Sequence, residues 1–207
     1  MGPQIGKKVY VLSPANVSGE RGRRLLWERT QLPLAQALQS EGAPVGEVFQ
    51  FISGLYFRGK LVYAQAFSNP PAGHPGSLVI VPGRGLLPPD TLITLTELRE
   101  IASVPVEPDE PRYRAPLERD ARLLFESAGS DTAMILLGSV ATTKYVEPLL
   151  DVFGGRLLFP LEFVGRGDMS RGGLMLRCAA ARTPLTYVPA HQSARRGTRP
   201  PRLPRKG

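Results

Sequence analysis

The sequence predicts an α/β protein, with a single Rossmann-like domain and a mostly parallel sheet over residues 7–189 and a disordered basic tail over residues 190–207. Short apolar runs bounded by turn residues, which are typical of buried strands, alternate along the chain with helical patterns. The composition is that of a globular protein, with 42% hydrophobic and 21% charged residues. A length of 207 residues suits one domain followed by a tail and allows a sizeable core.

The composition argues against several classes of protein. No apolar stretch approaches the roughly 20 residues that a membrane span requires, and no apolar signal core precedes the first strand. Cys178 is the one cysteine, so an internal disulfide is excluded and a cytoplasmic protein without a membrane partner is expected. The chain has only two histidines, His74 and His191, in addition to this cysteine, so no zinc cluster is expected. A carboxylate-bound hard ion stays open, and no particular cofactor is indicated.

The net charge of +8 is concentrated at one end of the chain. Residues 193–207 contain six of the 26 basic residues and no acidic one, which leaves 20 basic and 18 acidic residues, a net charge of +2, in residues 1–192. Proline and arginine dominate this tail, so we expect it to be disordered. Such a tail can bind nucleic acid through phosphate contacts, or it can be a solvated terminus without a partner.

The first strand is predicted over residues 8–12, a β-branched and aromatic run, and it is followed by turn formers over residues 13–22. A helix is expected from about residue 19 to residue 31, and a second one up to residue 41. A polar loop between a strand and a helix can bind an anion, because free N–H groups point outward there. Ser13 and Asn16 are the candidate ligand-binding residues of this loop. The alternative is a solvated arginine face on the first helix.

The next stretch, residues 44–68, is ambiguous between helix and strand, and helical spacing favours a helix over residues 55–67. Gly54, Gly59 and Lys60 resemble part of a phosphate-binding P-loop, but Leu61 stands where a magnesium-binding hydroxyl is needed. We therefore reject a P-loop NTPase.

A buried strand over residues 78–81 precedes a loop over residues 82–90, in which Arg84 lies between two glycines and is a candidate ligand-binding residue. A plain turn explains the same pattern. Thr94 and Glu97 predict a capping box that opens a helix ending near residue 102.

Residues 104–115 are expected to form an exposed connection, because prolines and charges crowd them. Pro116 is expected in the first turn of the helix that follows. The apolar side chains of that helix predict a stripe that packs in the core rather than against a cofactor, namely Leu117, Ala121, Leu124, Phe125 and Ala128.

A strand over residues 133–137 enters a loop of small and hydroxyl residues, and Pro148 is expected in the first turn of the following helix. Small residues allow close backbone approach, hydroxyls can bind phosphate oxygens, and a lysine can supply charge. A helix N-cap without a ligand is the alternative. The candidate ligand-binding residues of this loop are Gly138, Ser139, Thr142, Thr143 and Lys144.

A further strand over residues 157–163 leads to a loop over residues 165–173 that is rich in glycine and charge. Charges at this density are typical of a functional loop. Asp168 and, at the end of the strand, Glu162 are the candidate catalytic carboxylates, since a carboxylate can hold a ribose hydroxyl, a metal or an attacking water. The candidate ligand-binding residues here are Gly165, Arg166, Gly167, Ser170 and Arg171. Final strands are expected over residues 174–178 and 185–188, with Cys178 in the core.

Four segments of the chain are similar to sequences of the peroxide-stress YaaA-like proteins and their uncharacterised relatives. They are residues 56–64, 78–93, 137–145 and 159–167. In that family a helix with the pattern LY…F…YA is followed by a strand that ends in GL and a PD turn. The resemblance covers about residues 50–175 and implies a small α/β fold and a link to nucleic acid or nucleotides. The first loop departs from the family, because residues 13–16 read Ser-Pro-Ala-Asn.

Carboxyl ends of parallel strands share one edge of a sheet, and ligands of open α/β sheets bind at that edge. We therefore expect the loops after the strands to bind a nucleotide-like or phosphate-bearing ligand, with Asp168 as the group for hydrolase or transferase chemistry. The alternatives are a non-enzymatic nucleic-acid-binding protein that uses the tail and the arginines of the domain, and a structural subunit that binds a partner protein. No Ser-His triad is expected, because no histidine lies near a candidate serine. Whether the protein is an enzyme stays open.

Overall fold

A computed structural model describes residues 6–27, 29–139, 141, 143–192, 197 and 200. They form a mixed α/β structure whose main sheet has six strands in the order β4-β3-β1-β6-β7-β8. A two-stranded sheet of β2 and β5 lies apart from it. The strands are β1 (Lys7–Leu12), β2 (Ala43–Pro44), β3 (Ser77–Val81), β4 (Gly85–Leu87), β5 (Leu92–Ile93), β6 (Thr132–Leu137), β7 (Leu157–Pro160) and β8 (Tyr187–Pro189).

Eight α-helices occur within the described ranges. They are α1 (Glu20–Leu26), α2 (Pro33–Gln39), α3 (Val45–Ser53), α4 (Leu55–Phe67), α5 (Leu95–Ser103), α6 (Pro111–Ser127), α7 (Thr143–Phe153) and α8 (Asp168–Ala181). In this part of the chain no helix is both long and apolar enough to cross a membrane.

The middle of the main sheet is parallel. Strand β1 pairs in parallel with both β3 and β6, and β6 pairs in parallel with β7. The edge strands β4 and β8 are antiparallel to their neighbours. Residues 9–12 of β1 are fully buried, which agrees with a strand covered on both faces, where a continuous apolar run is needed. The α/β class and the mostly parallel sheet are thus confirmed.

The order of the parallel strands creates a crevice at their carboxyl ends. From β1 the chain crosses to β3 on one side, and it later returns to place β6 on the other side of β1. The connections after β1 and β6 therefore leave in opposite directions, and ligands of open α/β sheets bind at such a point.

The last strand is joined to the core by three tyrosines. The hydroxyl of Tyr187 in β8 lies 2.7 Å from that of Tyr10 and 2.6 Å from that of Tyr63. The backbone N–H of Leu185 donates to the Tyr63 hydroxyl at 2.8 Å. Burial raises the pKa of Tyr187, so all three hydroxyls stay protonated and can share hydrogen bonds. These hydrogen bonds connect β8 to the central strand and to α4.

Several sequence-based boundaries are confirmed. The helix expected over residues 55–67 is α4, and residues 45–53 before it form the separate helix α3. Thr94 and Glu97 form the expected capping box of α5. The first helix is shorter than expected, because α1 ends at Leu26 and a new helix begins at Pro33.

Other boundaries were wrong, and prolines account for two of them. Helix α6 begins at Pro111, inside the stretch expected to be an exposed connection, and the Glu110 side chain caps it by accepting the N–H of Arg112. Pro116 and Pro148 lie inside α6 and α7 rather than in their first turns. Residues 82–90 also differ, since the edge strand β4 forms there instead of a loop throughout. In α6 the expected apolar stripe is buried except for Phe125, which is 37% exposed.

The largest correction concerns residues 165–178, for which a loop and then a strand were expected. Helix α8 begins at Asp168 and includes half-buried Cys178. It packs on α4 through glycines: a Cβ on Gly172 would lie 2.7 Å from the Leu55 carbonyl oxygen, and one on Gly59 would lie 2.8 Å from that of Gly172. Glycine here allows two helix backbones to touch, so it does not mark a loop.

The expected basic tail falls largely outside the described residues, which omit residues 193–196, 198–199 and 201–207. Within its expected range, residues 190–192 form a short 3-10 turn with Ala190 buried against the core.

Candidate functional site

A cleft of about 630 Å³ opens at the carboxyl ends of β1, β3 and β6. Its walls come from the loops after these strands, from the end of α5 and the segment after it, and from the first turns of α7 and α8, with α4 below. Five of the residues proposed from the sequence line it together, namely Ser13, Asn16, Ser139, Lys144 and Asp168. The fold thus brings three separate candidate loops to one place.

Ser13 lines this cleft directly after β1. It is 4% exposed, and its N–H donates to the Leu137 carbonyl at 3.2 Å, which ties the end of β1 to that of β6. Gly138 follows β6 and faces Ser13, and a Cβ at this glycine would lie 2.9 Å from that of Ser13. The absence of a side chain at Gly138 therefore lets the two loops meet.

A buried lysine lies beneath Ser13. Lys60 of α4 is 1% exposed, and its Nζ lies 2.9 Å from the Ser13 carbonyl oxygen and 2.8 Å from Ser13 Oγ, both within hydrogen-bond distance. Its Nζ also lies 4.1 Å from the centre of the Tyr56 ring. A lysine is rarely buried without a specific partner, so this contact with Ser13 is a defining feature of the site.

Burial lowers the pKa of Lys60 to about 7, since removal from water penalises the charged amine. Asp168 opposes this change and Arg171 adds to it, because a neighbouring negative charge favours the ammonium and a positive one disfavours it. Near neutral pH the Lys60 amine is therefore available in both its neutral and its charged form.

Tyr56 lies one turn before Lys60 and also lines the cleft. Its hydroxyl is buried and has no hydrogen-bond partner within the described part of the chain. Burial raises the pKa of this hydroxyl, and the nearby Arg171 guanidinium lowers it by less, so the hydroxyl keeps its proton and remains a donor. A buried polar group without a partner costs about 1–3 kcal/mol, and a bound ligand could remove that cost.

Asp168 begins α8 and is the acidic side chain that lines the cleft, with 68% of its side chain exposed. Arg171, one turn later, is buried and directed away from solvent. Its Nε and one terminal nitrogen donate to the Phe163 carbonyl oxygen at 3.2 Å, and another lies 3.5 Å from Asp168. Arg171 therefore holds the start of α8 in place rather than reaching into the cleft.

Lys144 is the lysine on the cleft wall, and its Nζ forms an ion pair with Glu107 at 2.6 Å. The Tyr113 hydroxyl donates to the Lys144 carbonyl oxygen at 2.9 Å and so fixes the first turn of α7. Tyr145 lines the cleft beside it, and burial raises the pKa of its hydroxyl. This wall thus offers a cation and an aromatic ring.

A smaller cavity of about 270 Å³ shares Asn16 and Ser53 with the cleft. Arg21 of α1 lines it, and the guanidinium of Arg21 lies 3.4 Å from the Phe51 carbonyl oxygen. Of the arginines near the first loop, this one is placed beside the cleft.

Other candidate residues lie outside the cleft lining. Arg84 forms ion pairs with Glu97 and Glu100, each at 2.9 Å. Glu162 accepts the Thr186 N–H at 2.9 Å, which joins it to the segment before β8, and the Glu162 carbonyl oxygen accepts from Arg166. These side chains have structural partners.

The remaining candidates support the start of two helices. Ser170 lies within hydrogen-bond distance of Arg166, Gly165 has a positive φ of 72°, and Gly167 is the N-cap of α8. Thr143 is the first residue of α7 and does not line the cleft, and Thr142 lies outside the described residues.

Sequence reasoning missed Lys60 and Tyr56. A signal existed, since both fall on the helix predicted over residues 55–67, and Lys60 lies between apolar positions of that helix at which a lysine is unusual.

Within the described ranges, no group of three or more histidine, cysteine or acidic residues is arranged to hold a metal ion. A scan against protein-family models, a search of curated proteins and a search of solved structures each found no match.

Proposed function

We propose that the cleft binds a nucleotide-like, phosphate-bearing ligand and that Asp168 takes part in hydrolysis of this ligand or in transfer of a group from it. The observation that carries the proposal is the convergence of Ser13, Asn16, Ser139, Lys144 and Asp168 on one cleft of about 630 Å³ where the connections of the sheet diverge. A volume in the range of about 300–1,000 Å³ is typical of small-molecule sites.

The chemistry of the lining agrees with such a ligand. Arg21 in the adjoining cavity is a cation that can attract phosphate oxygens, and Lys144 on the cleft wall can do so by exchanging its exposed ion pair with Glu107 for the ligand. Ser13, Asn16 and Ser139 provide small polar groups. Asp168 can accept hydrogen bonds from sugar hydroxyls or from an attacking water, and Tyr145 can stack on a base.

A Rossmann-like arrangement belongs to this proposal. It is supported by the parallel strand order β3-β1-β6-β7, in which the direction of the connections reverses between β1 and β6. The similarity of residues 50–175 to YaaA-like proteins agrees with a nucleotide-related ligand.

The test is a thermal-shift screen of the full chain with nucleosides, nucleotides and inorganic phosphate. We expect a rise in Tm with a nucleotide, and we expect Lys144→Ala to abolish this shift and Asp168→Asn to reduce it without abolishing it. Lys7→Ala and Asp90→Asn are the matched controls and should keep the full shift in Tm. Lys7 begins β1, at the end of the parallel strands opposite the cleft, and Asp90 lies in an exposed turn. No shift across the panel would refute the proposal.

Turnover is measured separately, by chromatography of the nucleotides that cause a shift. We expect Asp168→Asn to bind without turnover if the carboxylate acts on the ligand. Binding by the unaltered protein without any product would restrict the function to binding.

A second candidate function is binding of nucleic acid, and the charge of residues 193–207 favours it. The domain contributes less, since many of its arginines are already in ion pairs, including Arg24, Arg84, Arg112, Arg114, Arg119 and Arg122. Removing residues 193–207 should lower the salt dependence of binding, by roughly 0.7–0.9 in the log–log slope for each phosphate that the tail neutralises. An unchanged slope would exclude the tail as the binding segment.

A further inference from the structure

We propose that Ser13 is a nucleophile and Lys60 its general base, and that this pair transfers an activated acyl group, such as that of an ester or an acyl phosphate, from a ligand in the cleft. The inference rests on the proposed function only in placing the ligand in the same cleft. It assigns a covalent step to two residues that the binding proposal leaves without a chemical role.

The geometry carries the assignment. Ser13 lines the cleft, and the Nζ of buried Lys60 lies 2.8 Å from Ser13 Oγ. A nucleophile within hydrogen-bond reach of a base that a third group orients is the arrangement that covalent catalysis needs. The Ser13 carbonyl oxygen, 2.9 Å from Nζ, is that third group, since a neutral amine can donate to this carbonyl while it accepts the proton of Oγ.

The environment of Lys60 supports its role as a base. Burial lowers its pKa to about 7, so a large fraction of the amine is neutral at the pH of a cell. The charged and titratable groups that face it are Tyr56 on its own helix and Asp168 and Arg171 on α8. Asp168 and Arg171 act in opposite directions on this pKa, and burial remains the dominant cause.

Tyr56 provides a donor for the carbonyl oxygen of the acyl group. Its hydroxyl is buried, lacks a partner within the described residues, and belongs to a residue that lines the cleft. Tyr56 and Lys60 are four residues apart on α4, so they lie on the same side of the helix. A donor directed at developing negative charge stabilises the tetrahedral intermediate.

The proposed reaction has two steps, acylation of Ser13 and hydrolysis of the resulting ester. Lys60 Nζ accepts the proton of Ser13 as Oγ bonds to the acyl carbon, and the bond from that carbon to the leaving group then breaks. The leaving group takes the proton from Lys60, which leaves an ester on Ser13. Water, deprotonated by Lys60, then attacks this ester and releases a carboxylic acid, and Ser13 regains its proton.

The test is labelling of the full chain with a fluorophosphonate, which reacts with activated serines by forming an O–P bond and releasing fluoride. Peptide mass mapping should place the label on Ser13, and the rate should rise with pH through about 7 as Lys60 becomes neutral. We expect Ser13→Ala to abolish the label and Lys60→Met or Lys60→Arg to slow it by about 10²–10⁴-fold. Ser127→Ala, an exposed serine at the end of α6, is the matched control and should label at the original rate.

Several outcomes would overturn the inference: no label on Ser13 between pH 6 and pH 9, a rate that does not change over that range, or a folded Lys60→Met variant that labels as fast as the original protein. Circular dichroism shows whether the Lys60 variants fold, and if they do not, the pH profile of the unaltered protein decides. A protein that is stabilised by nucleotides but not labelled would retain the proposed function and lose this inference. A protein that is labelled on Ser13 but not stabilised by any nucleotide would retain this inference and lose the proposed function.

Discussion

Lys60 is a lysine whose side chain is almost completely removed from water. Its side chain is 1% exposed, and its Nζ lies within hydrogen-bond distance of both the carbonyl oxygen and the hydroxyl of Ser13. A charged amine in such a place costs free energy, which the protein reduces by letting the amine lose its proton near neutral pH. The burial of this amine therefore links the protonation of Lys60 to the stability of the whole domain.

This linkage predicts how stability changes with pH. The pKa of Lys60 is lowered from 10.5 to about 7, so the unfolded chain binds more protons than the folded one between these values. The free energy of unfolding should consequently rise with pH across that window, and below about pH 7 the full penalty applies. From pH 7 to pH 9 we expect the original protein to gain up to about 2 kcal/mol relative to Lys60→Met. Urea unfolding at several pH values measures this, and parallel pH dependences of the two proteins would contradict it.

At the scale of the elements, the sequence predicted most of the sheet and the helices with regular apolar spacing. Strands β1, β3 and β6 and helix α4 follow local patterns that the tertiary structure does not override. Helix α8 was missed because its glycines and charges resemble those of a loop. The reason for Gly172 lies on α4, far away in sequence, and no local pattern contains it.

The packing of α8 on α4 predicts the effect of Gly172→Ala. The new Cβ would lie 2.7 Å from the Leu55 carbonyl oxygen, which belongs to backbone and cannot swing aside. We expect a loss of about 1–3 kcal/mol, although alanine favours a helix over glycine by about 1 kcal/mol. Denaturant midpoints measure the change. Gly155→Ala, where no atom lies within 4 Å of the added Cβ, should be close to neutral, and equal effects at both positions would argue against this packing.

The capping box of α5 predicts a smaller effect. The Thr94 side chain accepts the N–H of Glu97, and the Glu97 carboxylate accepts the N–H of Thr94 at 2.7 Å. Thr94→Ala should lower the free energy of unfolding by about 1 kcal/mol, because one N–H of the first turn loses its acceptor. Thr94→Ser should retain most of that stability, and Thr96→Ala, at an exposed position inside α5, is the control. A Thr94→Ala variant as stable as the original would show that the cap contributes little.

For the whole molecule, we expect the antiparallel strand β8 to be needed for a stable fold. It joins the far edge of the sheet, and Tyr187 connects it to Tyr10 in the central strand and to Tyr63 in α4. Residues 193–207 follow Ala190, which is the last buried position among the described residues.

Two truncations test this expectation. A chain that ends at Gln192 should keep the Tm of the full chain, because the tyrosine hydrogen bonds and Ala190 remain. A chain that ends at Pro184 should lose roughly 5 °C or more, since each kcal/mol changes Tm by about 2–4 °C in a domain of this size and the tyrosine hydrogen bonds of β8 are removed. Differential scanning calorimetry measures both, and similar Tm values for the two chains would contradict the role of β8.

The site could be predicted from the sequence only in part. Loops that follow parallel strands meet at one edge, and this rule was enough to place Ser13, Ser139 and Asp168 together. It could not tell that Glu162 is held by the Thr186 N–H or that Arg171 is turned toward the Phe163 carbonyl oxygen. Those partners depend on helix packing and on the path of the chain after α8.

The packing of α4 against α8 also determines how the cleft can move. The two backbones touch at Gly59 and Gly172, so the helices cannot slide past each other without separating. Lys60 on α4 and Asp168 on α8 are consequently carried by one rigid pair. The opposite wall consists of the segment after α5 and the first turn of α7, which Tyr113 joins to α6. We therefore expect any opening for a ligand to come from the parts of the lining outside this helix pair, so that a ligand meets one fixed surface and one that adjusts to it.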